Sequence, residues 1–252
     1  MRVVIIGAGN VATVFGGLVA KAGHEIVQVV SRNMTNARQL ATELGCAYSN
    51  DPKILDITAD IYIVAMADAA LNELHESYFL GDKLILHTAG AISKDILKDI
   101  SVNYGVMYPL QSLRKENLEL HQDIPLLIDG SSQPILDGLE TFARGLSSIV
   151  VRVQDEERLK LHVAAVVVSN FTNHLYKLTA DFCTKEGLDF KMLQPLIEET
   201  ALRLRYHQPG IMQTGPAIRK DSSTLNKHLG ILSSHPALKK VYLRLTDSIM
   251  NP

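Results

Sequence analysis

The pattern of hydrophobic and polar positions changes once along this chain. Up to about residue 153, short runs of β-branched and aliphatic residues alternate with stretches whose apolar residues recur at helical spacing. Most of the runs lack polar alternation, which is typical of strands buried on both faces of a parallel sheet. The predicted strands cover residues 3–6, 25–30, 61–64, 83–86, 105–107, 125–128 and 148–151, and the predicted helices between them cover 10–22, 35–44 and 132–145.

The second part of the chain contains no strand-like run. Apolar residues at helical spacing predict helices over 156–186, 192–207, 221–232 and 236–250. Residues 208–216 contain two prolines and two glycines, which cannot all lie in a helix interior, so we expect a loop there. The whole pattern predicts an α/β domain with a doubly wound, mostly parallel sheet over residues 1–153, followed by an all-helical domain over 154–252.

A glycine-rich turn directly follows the first predicted strand. The sequence from Gly7 to Ala12 is G-x-G-x-x-A, and the first predicted helix begins inside it. In this setting Gly7 permits a tight turn, Gly9 lets a pyrophosphate approach the backbone, and Ala12 allows close helix packing. The first helical residues, which include Asn10 and Val11, supply unpaired N–H groups for phosphates. The motif predicts a Rossmann domain that binds a dinucleotide, and a purely structural turn is the alternative.

The end of the second predicted strand bears on the choice between NAD and NADP. A carboxylate at this position would bind the ribose of NAD, but the sequence here is Ser31-Arg32. Ser31 can bond a 2′-phosphate, and the Arg32 guanidinium can pair with it through two hydrogen bonds. We therefore predict NADP(H) as the cofactor in preference to NAD. The alternative is that Arg32 is a solvated turn residue.

The loop after the third predicted strand lies at a carboxyl end of the sheet, where such folds bind ligands. Ala65, Met66 and Ala67 are small or flexible enough to let the nicotinamide half lie against the backbone, so we predict that they contact the cofactor. Asp68 follows them. It is better suited to be the N-cap of the next helix than a catalytic acid.

The next strand also ends in polar residues on the ligand side of the sheet. His87 and Thr88 precede Gly90, which frees the chain for a sharp turn. Both side chains are therefore candidates for the ligand site, His87 in catalysis and Thr88 in cofactor binding. The alternative is that they only stabilise the turn.

Polar residues recur along the first helix of the second domain. His162, Ser169, Asn170 and Asn173 would share one face of an uninterrupted α-helix, among apolar neighbours. These groups need partners, either a substrate and cofactor or one another. We predict catalytic roles for His162, Ser169 and Asn170. His162 is the preferred proton donor, because imidazole titrates near neutrality.

A second group of candidates follows the predicted loop. Residues 214–216 could close over a site, since loops on a rigid scaffold often carry function. Asp221, Thr224 and His228 then lie at helical spacing. Their roles stay open between capping that helix and contacting a substrate.

Composition and charge exclude several classes of protein. The chain of 252 residues has a net charge of −2 with scattered Lys and Arg, so it lacks the basic stripe of a nucleic-acid-binding protein. Cys46 and Cys183 are its only cysteines, which predicts two free buried thiols and no disulfide framework or metal site. With no export signal and no apolar run long enough to span a bilayer, we expect a cytoplasmic protein without a membrane partner.

The order of these motifs resembles that of a known group of proteins. The similarity extends over nearly the whole chain and is carried by the glycine turn, Ser31-Arg32, His87 to Gly90, residues 107–112 and 162–173, and the segment around 214–228. The sequence resembles the family of Rossmann-like NADP oxidoreductases with a C-terminal helical domain of unknown function. This family is related to pyrroline-5-carboxylate reductases and 6-phosphogluconate dehydrogenases.

The resemblance implies a small-molecule substrate in a cleft between the domains and a homodimer formed by the helical domains. It also exposes a difference from the related β-hydroxyacid dehydrogenases, which carry a catalytic Lys three residues before an Asn. If Asn170 is that Asn, Val167 stands at the Lys position. Chemistry with that general acid is not expected here.

These observations lead to one functional hypothesis and two rivals. The hypothesis is an NADP(H)-dependent oxidoreductase that transfers a hydride to or from a small carbonyl or imine substrate. One rival is a non-catalytic NADP-binding sensor or interaction protein. The other is a Rossmann fold that binds a different nucleotide.

Overall fold

A computed structural model of the chain describes residues 1–116 and 123–251, and these contain one sheet flanked by helices. The strands are β1 (Arg2–Ile6), β2 (Glu25–Val30), β3 (Ala47–Ser49), β4 (Ile61–Val64), β5 (Leu84–His87), β6 (Tyr104–Pro109), β7 (Leu126–Gly130) and β8 (Val150–Arg152). The α-helices are α1 (Asn10–Lys21), α2 (Met34–Leu44), α3 (Asp68–Leu71), α4 (Gln133–Leu146), α5 (Asp155–Ala165), α6 (Thr172–Lys185), α7 (Gln194–Leu202), α8 (Ser222–Ile231) and α9 (Pro236–Met250).

The strand order makes the sheet doubly wound. Its order is β3-β2-β1-β4-β5-β6-β7-β8, and all described neighbours are parallel except β6 and β7. The chain moves outward from β1 to β3 and then returns to place β4 on the other side of β1. Connections therefore leave β1 and β4 in opposite directions, which opens a crevice at their carboxyl ends. The predicted fold class is confirmed.

Alternate residues of the central strand enter different cores. Val3 and Ile5 of β1 pack with Phe15 of α1 on one face of the sheet. Val4 and Ile6 pack with Leu71 on the other face, where α3 and short 3-10 turns cover the sheet. Because both faces are buried, the strand is apolar throughout, as predicted from the continuous runs.

Two features of the secondary structure differ from the sequence predictions. Strand β3 was not predicted, because it has only three residues and two of them are exposed. The predicted single helix over 156–186 is wrong, since a π-helical segment, Val166–Phe171, separates α5 from α6. This segment begins with three valines, whose branched side chains crowd an α-helix, followed by Ser169 and Asn170, which compete for backbone hydrogen bonds.

The chain divides into two compact units, residues 1–167 and 168–252. The first unit contains the sheet and also α5. The second contains α6 to α9. The composition changes after residue 153 but packing separates the units after residue 167, so the predicted domain limits remain a prediction. Among the described residues, no helix combines the length and apolar character needed to cross a bilayer.

Capping explains where the last helices of the second unit begin. The carboxylate of Asp221 accepts hydrogen bonds from Thr224 N at 3.1 Å and Thr224 Oγ1 at 2.7 Å, which confirms its capping role. His228 Nδ1 lies 2.8 Å from the hydroxyl of Tyr242. Pro236 occupies the first turn of α9, as its missing N–H allows.

The two cysteines differ in burial. Cys183 is buried, as predicted, whereas Cys46 is only half-buried, so the prediction of two buried thiols is wrong for Cys46. Cys46 follows Gly45, which adopts a left-handed conformation at the end of α2. The chain turns there toward the edge strand β3, and this leaves the thiol less covered than one inside a helix bundle.

Candidate active site

The turn after β1 requires glycine at one position and leaves open space at another. Gly7 has a φ of 123°, and a Cβ added to it would lie 2.1 Å from the carbonyl oxygen of Ala65. A side chain there would therefore push β1 and β4 apart. Gly9 is the N-cap of α1 and offers no side-chain cap. Because a Cβ on Gly9 would meet nothing within 4 Å, the backbone at the start of α1 is open to approach.

A cavity of about 400 Å³ lies at the carboxyl ends of β1, β2 and β4. It brings together seven of the residues predicted to bind the cofactor: Gly7, Gly9, Ser31, Arg32, Ala65, Met66 and Ala67. It is a crevice at the switch point of the sheet, where doubly wound folds bind ligands.

The lining of this cavity carries a positive charge. Among the described residues that line it, Arg32 is the charged side chain and none is a carboxylate. No described residue forms an ion pair or hydrogen bond with its exposed guanidinium, so its donors are available to a ligand. The amide side chains of Asn33, Asn36 and Asn50 also line the cavity. Asn50 follows β3, and it was missed because that strand was missed.

Other residues of the predicted cofactor set lie outside the lining. Asn10 accepts a hydrogen bond from the backbone N of Lys115 at 3.4 Å, and Ala12 is fully buried in the core. Val11 packs against the same core. What these residues can offer a ligand is the backbone of the first turn of α1. Thr88 is buried, and its hydroxyl donates to Val64 O at 3.2 Å, so its side chain supports the strand end and the prediction of cofactor contact is not supported.

His87 has a structural environment. Its side chain is 0% exposed, its Nδ1 accepts a hydrogen bond from Ala89 N at 3.1 Å, and its Nε2 lies 3.3 Å from the carbonyl oxygen of Ser93. Burial lowers its pKa to about 4, and the cation of Arg158 acts in the same direction. The imidazole is neutral with both nitrogens engaged. The prediction of a catalytic role for His87 is therefore corrected, because it can neither reach a ligand nor give up a proton near neutrality.

The other predicted histidine of the first unit forms a pair with a tyrosine. The hydroxyl of Tyr108, at the end of β6, lies 2.9 Å from Nδ1 of His162 on α5. Their rings meet edge to face with centroids 5.7 Å apart. Gly90 makes room for both, since a Cβ there would come within 2.6 Å of His162 Nδ1 and 2.8 Å of the Tyr108 ring.

Burial and two nearby charges act on the pKa of Tyr108. Burial raises the pKa of its hydroxyl, the carboxylate of Asp68 adds to this rise, and the cation of Arg158 opposes it. Asp68 begins α3 but does not cap it, because Ala67 occupies the N-cap position, so the predicted N-cap role is wrong by one residue. The role of Tyr108 was not predicted, since its partner lies 54 residues away in sequence.

The sheet order relates the pair to the cavity. The cavity follows the ends of β2, β1 and β4, and β6 is two strands beyond β4. At a strand spacing of ~4.8 Å, the end of β6 is roughly 10 Å from the end of β4. A phenol hydrogen-bonded to an imidazole can hold and transfer a proton. The first unit thus carries a crevice lined by Arg32 and, at the same edge of the sheet, a hydrogen-bonded tyrosine–histidine pair.

The remaining predicted catalytic residues belong to the second unit. Asn170 is exposed and Ser169 is half-exposed, and both lie in the π-helical segment. An uninterrupted α-helix would bring them to one face with His162, but the π turn between Val166 and Phe171 changes the spacing of the side chains. Their catalytic roles stay a prediction.

A glycine turn at the switch point of a doubly wound sheet defines a Rossmann-type dinucleotide-binding protein. Residues 2–89 match the family model described as NADP oxidoreductase, coenzyme F420-dependent, and residues 124–249 match a domain of unknown function, DUF2520. A solved structure from Bacteroides fragilis, assigned as an NADP oxidoreductase, is 37% identical with a TM-score of 0.93, covering 100% of this chain and 98% of that chain. The chain belongs to this family of NADP oxidoreductases, and NADP as the cofactor is confirmed.

More distant solved structures share the fold. A pyrroline-5-carboxylate reductase from Streptococcus pyogenes is 13% identical, with a TM-score of 0.68 over 100% of this chain and 99% of that chain. An imine reductase from Myxococcus stipitatus in complex with NADP+ is 14% identical, with a TM-score of 0.64 over 99% and 92%. At these identities the likeness shows the fold alone. No curated protein matches the chain.

Proposed function

We propose that this protein reduces a small substrate with a C=N or C=O bond, using NADPH and a proton from the Tyr108–His162 pair. The observation that carries the proposal is the hydrogen bond of 2.9 Å between these two side chains, at the edge of the sheet that also bears the nucleotide cavity. A proton donor is the component that hydride transfer to a polar double bond needs besides the cofactor.

The residues of the cavity fit an NADP cofactor. The guanidinium of Arg32 and the hydroxyl of Ser31 suit the 2′-phosphate, and none of the described residues in the lining is a carboxylate that would repel it. The open backbone at Gly9 suits the pyrophosphate at the N-terminus of α1. Ala65 and Ala67 leave room for the nicotinamide half beside β4. When bound, NADPH supplies the hydride for the carbon of the double bond.

The Tyr108–His162 pair supplies the proton that balances this reduction. The carbon of the C=N or C=O bond gains a hydride, and the nitrogen or oxygen gains one proton from the pair. His162 can return a proton to Tyr108 after the transfer, because a proton can pass along the hydrogen bond between Tyr108 Oη and His162 Nδ1. His162 is half-buried, so solvent can restore the proton after turnover.

Ser169 and Asn170 are proposed substrate contacts. Their exposed or half-exposed side chains form no hydrogen bond with the residues of the second unit that the structure describes. A π-helical segment supports this proposal, because such segments occur frequently at functional sites.

We also propose that the second unit pairs with a second copy of the chain. Exposed apolar side chains on this unit support the proposal, because covering apolar surface with a second copy removes it from water. They include Val168, Phe171, Met192, Leu196, Tyr206 and Ile211. Light scattering after size-exclusion chromatography should give twice the mass of the 27.7 kDa chain. A mass of one chain at micromolar concentration would rule the dimer out.

Turnover with a panel of small imines and carbonyl compounds tests the catalytic proposal. NADPH oxidation should be lowered by about 10²-fold or more in Tyr108→Phe and in His162→Gln, while both variants bind NADPH as the wild type does. His75→Gln is the matched control, because His75 is exposed, lies in a 3-10 turn, and has no described contact with either member of the pair. Tight NADPH binding without turnover of any substrate would favour the non-catalytic sensor. Unchanged turnover in both variants would refute the role of the pair.

A further inference from the structure

Arg158 is a buried cation on the same helix face as His162. The two residues are four positions apart on α5, so their side chains project to the same side. The Arg158 side chain is only 1% exposed. Its Nη2 donates to the carbonyl oxygen of Ile92 and forms an ion pair of 2.8 Å with Asp155. Burying an arginine in the first turn of a helix costs free energy, because its charge is removed from water.

Both members of this ion pair lie on α5, and each of them also contacts the segment that follows β5. Asp155 accepts a hydrogen bond from the hydroxyl of Ser93 and another from Lys94 N at 3.4 Å. Burial alone would raise the pKa of Asp155, but the Ser93 hydrogen bond and the Arg158 cation hold it below its ordinary value. The segment from Gly90 to Lys94 is therefore fixed against α5 at several points.

This fixed segment supports the proton-donating pair. Gly90 lies where a Cβ would touch both His162 and Tyr108, so a small movement of the segment would change their separation. Arg158 holds Ile92, which is two residues beyond Gly90. The contact from α5 to the segment thus controls the space in which the pair meets.

Two donor groups of Arg158 have no partner among the described residues. Its Nε and Nη1 are buried, and no acceptor in residues 1–116 and 123–251 bonds them. Unpaired donors in a medium of low polarity leave the positive charge poorly screened, so its field extends to neighbouring groups. The charge of Arg158 lowers the pKa of Tyr108 and of His87. Among the described residues, His162 on α5 and Asp68 on α3 are the other ionisable groups that act on Tyr108.

We propose that Arg158 is a positioning residue of the Tyr108–His162 pair, which fixes the segment under the pair and stabilises negative charge on the Tyr108 oxygen while a proton is transferred. The inference rests on the proposed function for its catalytic consequence. Its electrostatic part does not, because the cation acts on Tyr108 with or without a substrate. When Tyr108 loses its proton to the substrate nitrogen or oxygen, the charge of Arg158 favours the phenolate until solvent or His162 returns a proton.

Spectroscopic titration of tyrosine in the full chain tests the electrostatic part. Tyrosinate absorption is followed against pH in the wild type and in Arg158→Met, and each curve is corrected with the same protein carrying Tyr108→Phe. We expect Tyr108 to ionise at higher pH in Arg158→Met, because a stabilising cation has been removed. Arg158→Lys, which keeps the charge, should ionise nearer to the wild type.

Asp155→Asn provides a variant with the opposite expected sign. It keeps the guanidinium but removes its counter-charge, so Tyr108 should ionise at lower pH than in the wild type. If Arg158→Met does not fold, as circular dichroism would show, this variant decides the question. A role limited to structure predicts no directional change. An unchanged or higher ionisation pH in Asp155→Asn would overturn the proposal.

Turnover and cofactor binding separate this inference from the proposed function. Once a substrate is known, Arg158→Met should lower kcat by about 10²-fold with NADPH affinity unchanged, and Arg158→Lys should recover part of the loss. Equal losses in both variants with an unshifted Tyr108 titration would also overturn the proposal. A shifted titration in a protein that turns over no substrate would leave the electrostatic role standing and remove the proposed function instead.

Discussion

His87 should make the stability of the fold sensitive to mild acid. Its pKa is lowered from 6.5 to about 4, mainly by burial, and its side chain is 0% exposed. The folded state holds the imidazole neutral, whereas the unfolded chain binds a proton below pH 6.5. Stability from this group is therefore complete above pH 6.5 and is lost as the pH falls toward 4. The difference between 6.5 and about 4, at ~1.4 kcal/mol for each pH unit, amounts to ~3 kcal/mol.

Urea unfolding followed by circular dichroism at several pH values between 7.5 and 4 measures this effect. The control is His87→Gln, which cannot titrate in this range, so the difference between the two proteins removes the contribution of the other ionisable groups. The variant should be less stable at pH 7.5, because buried hydrogen bonds are lost, but this deficit should shrink as the pH falls. A deficit that stays constant down to pH 4 would refute a neutral buried His87. Retained turnover in the variant at pH 7.5 would agree with its structural role.

Replacing each of three glycines by alanine gives a further prediction. Gly7→Ala should destabilise the fold by at least ~1–3 kcal/mol in urea unfolding, because φ is 123° and the new Cβ would meet the carbonyl of Ala65 at 2.1 Å; wild-type stability would contradict this geometry. Gly90→Ala should lower kcat by about 10²-fold while NADPH affinity is kept, because the Cβ displaces Tyr108 from its partner; normal turnover would argue against the pair. Gly17→Ala, the matched control in an open part of α1, should raise stability by ~0.5–1 kcal/mol and leave turnover unchanged; a loss of stability would show that the helix is more crowded there.

Features that depend on local sequence could be predicted. The strands β1, β2 and β4 are continuous apolar runs because both sheet faces are covered, and the glycine turn follows β1 directly. Strand β3 escaped prediction because an edge strand of three residues with an exposed Tyr48 has no apolar pattern. The π-helical segment escaped it because helical periodicity does not distinguish an α turn from a π turn over six residues.

Only the part of the candidate site that depends on local sequence could be predicted. The cavity residues follow strand ends in sequence, so their convergence could be inferred from strand order. His87 is the last residue of β5, but burial decides its role, and its burial depends on the loop from Ala89 to Ser93 folding back over it. Tyr108 gains its role from a contact across 54 residues, which no local pattern reveals.

Calorimetric titration of NADPH and NADH into the wild type and Arg32→Ala tests the central claim most directly. The account predicts that the wild type binds NADPH about 10–100-fold more tightly than NADH, since hydrogen bonds to a charged group contribute ~1.5–3 kcal/mol. Arg32→Ala should remove most of this difference and leave NADH binding nearly unchanged. If neither cofactor binds the wild type, or if Arg32→Ala keeps the preference, the assignment of this cavity to NADP(H) is contradicted.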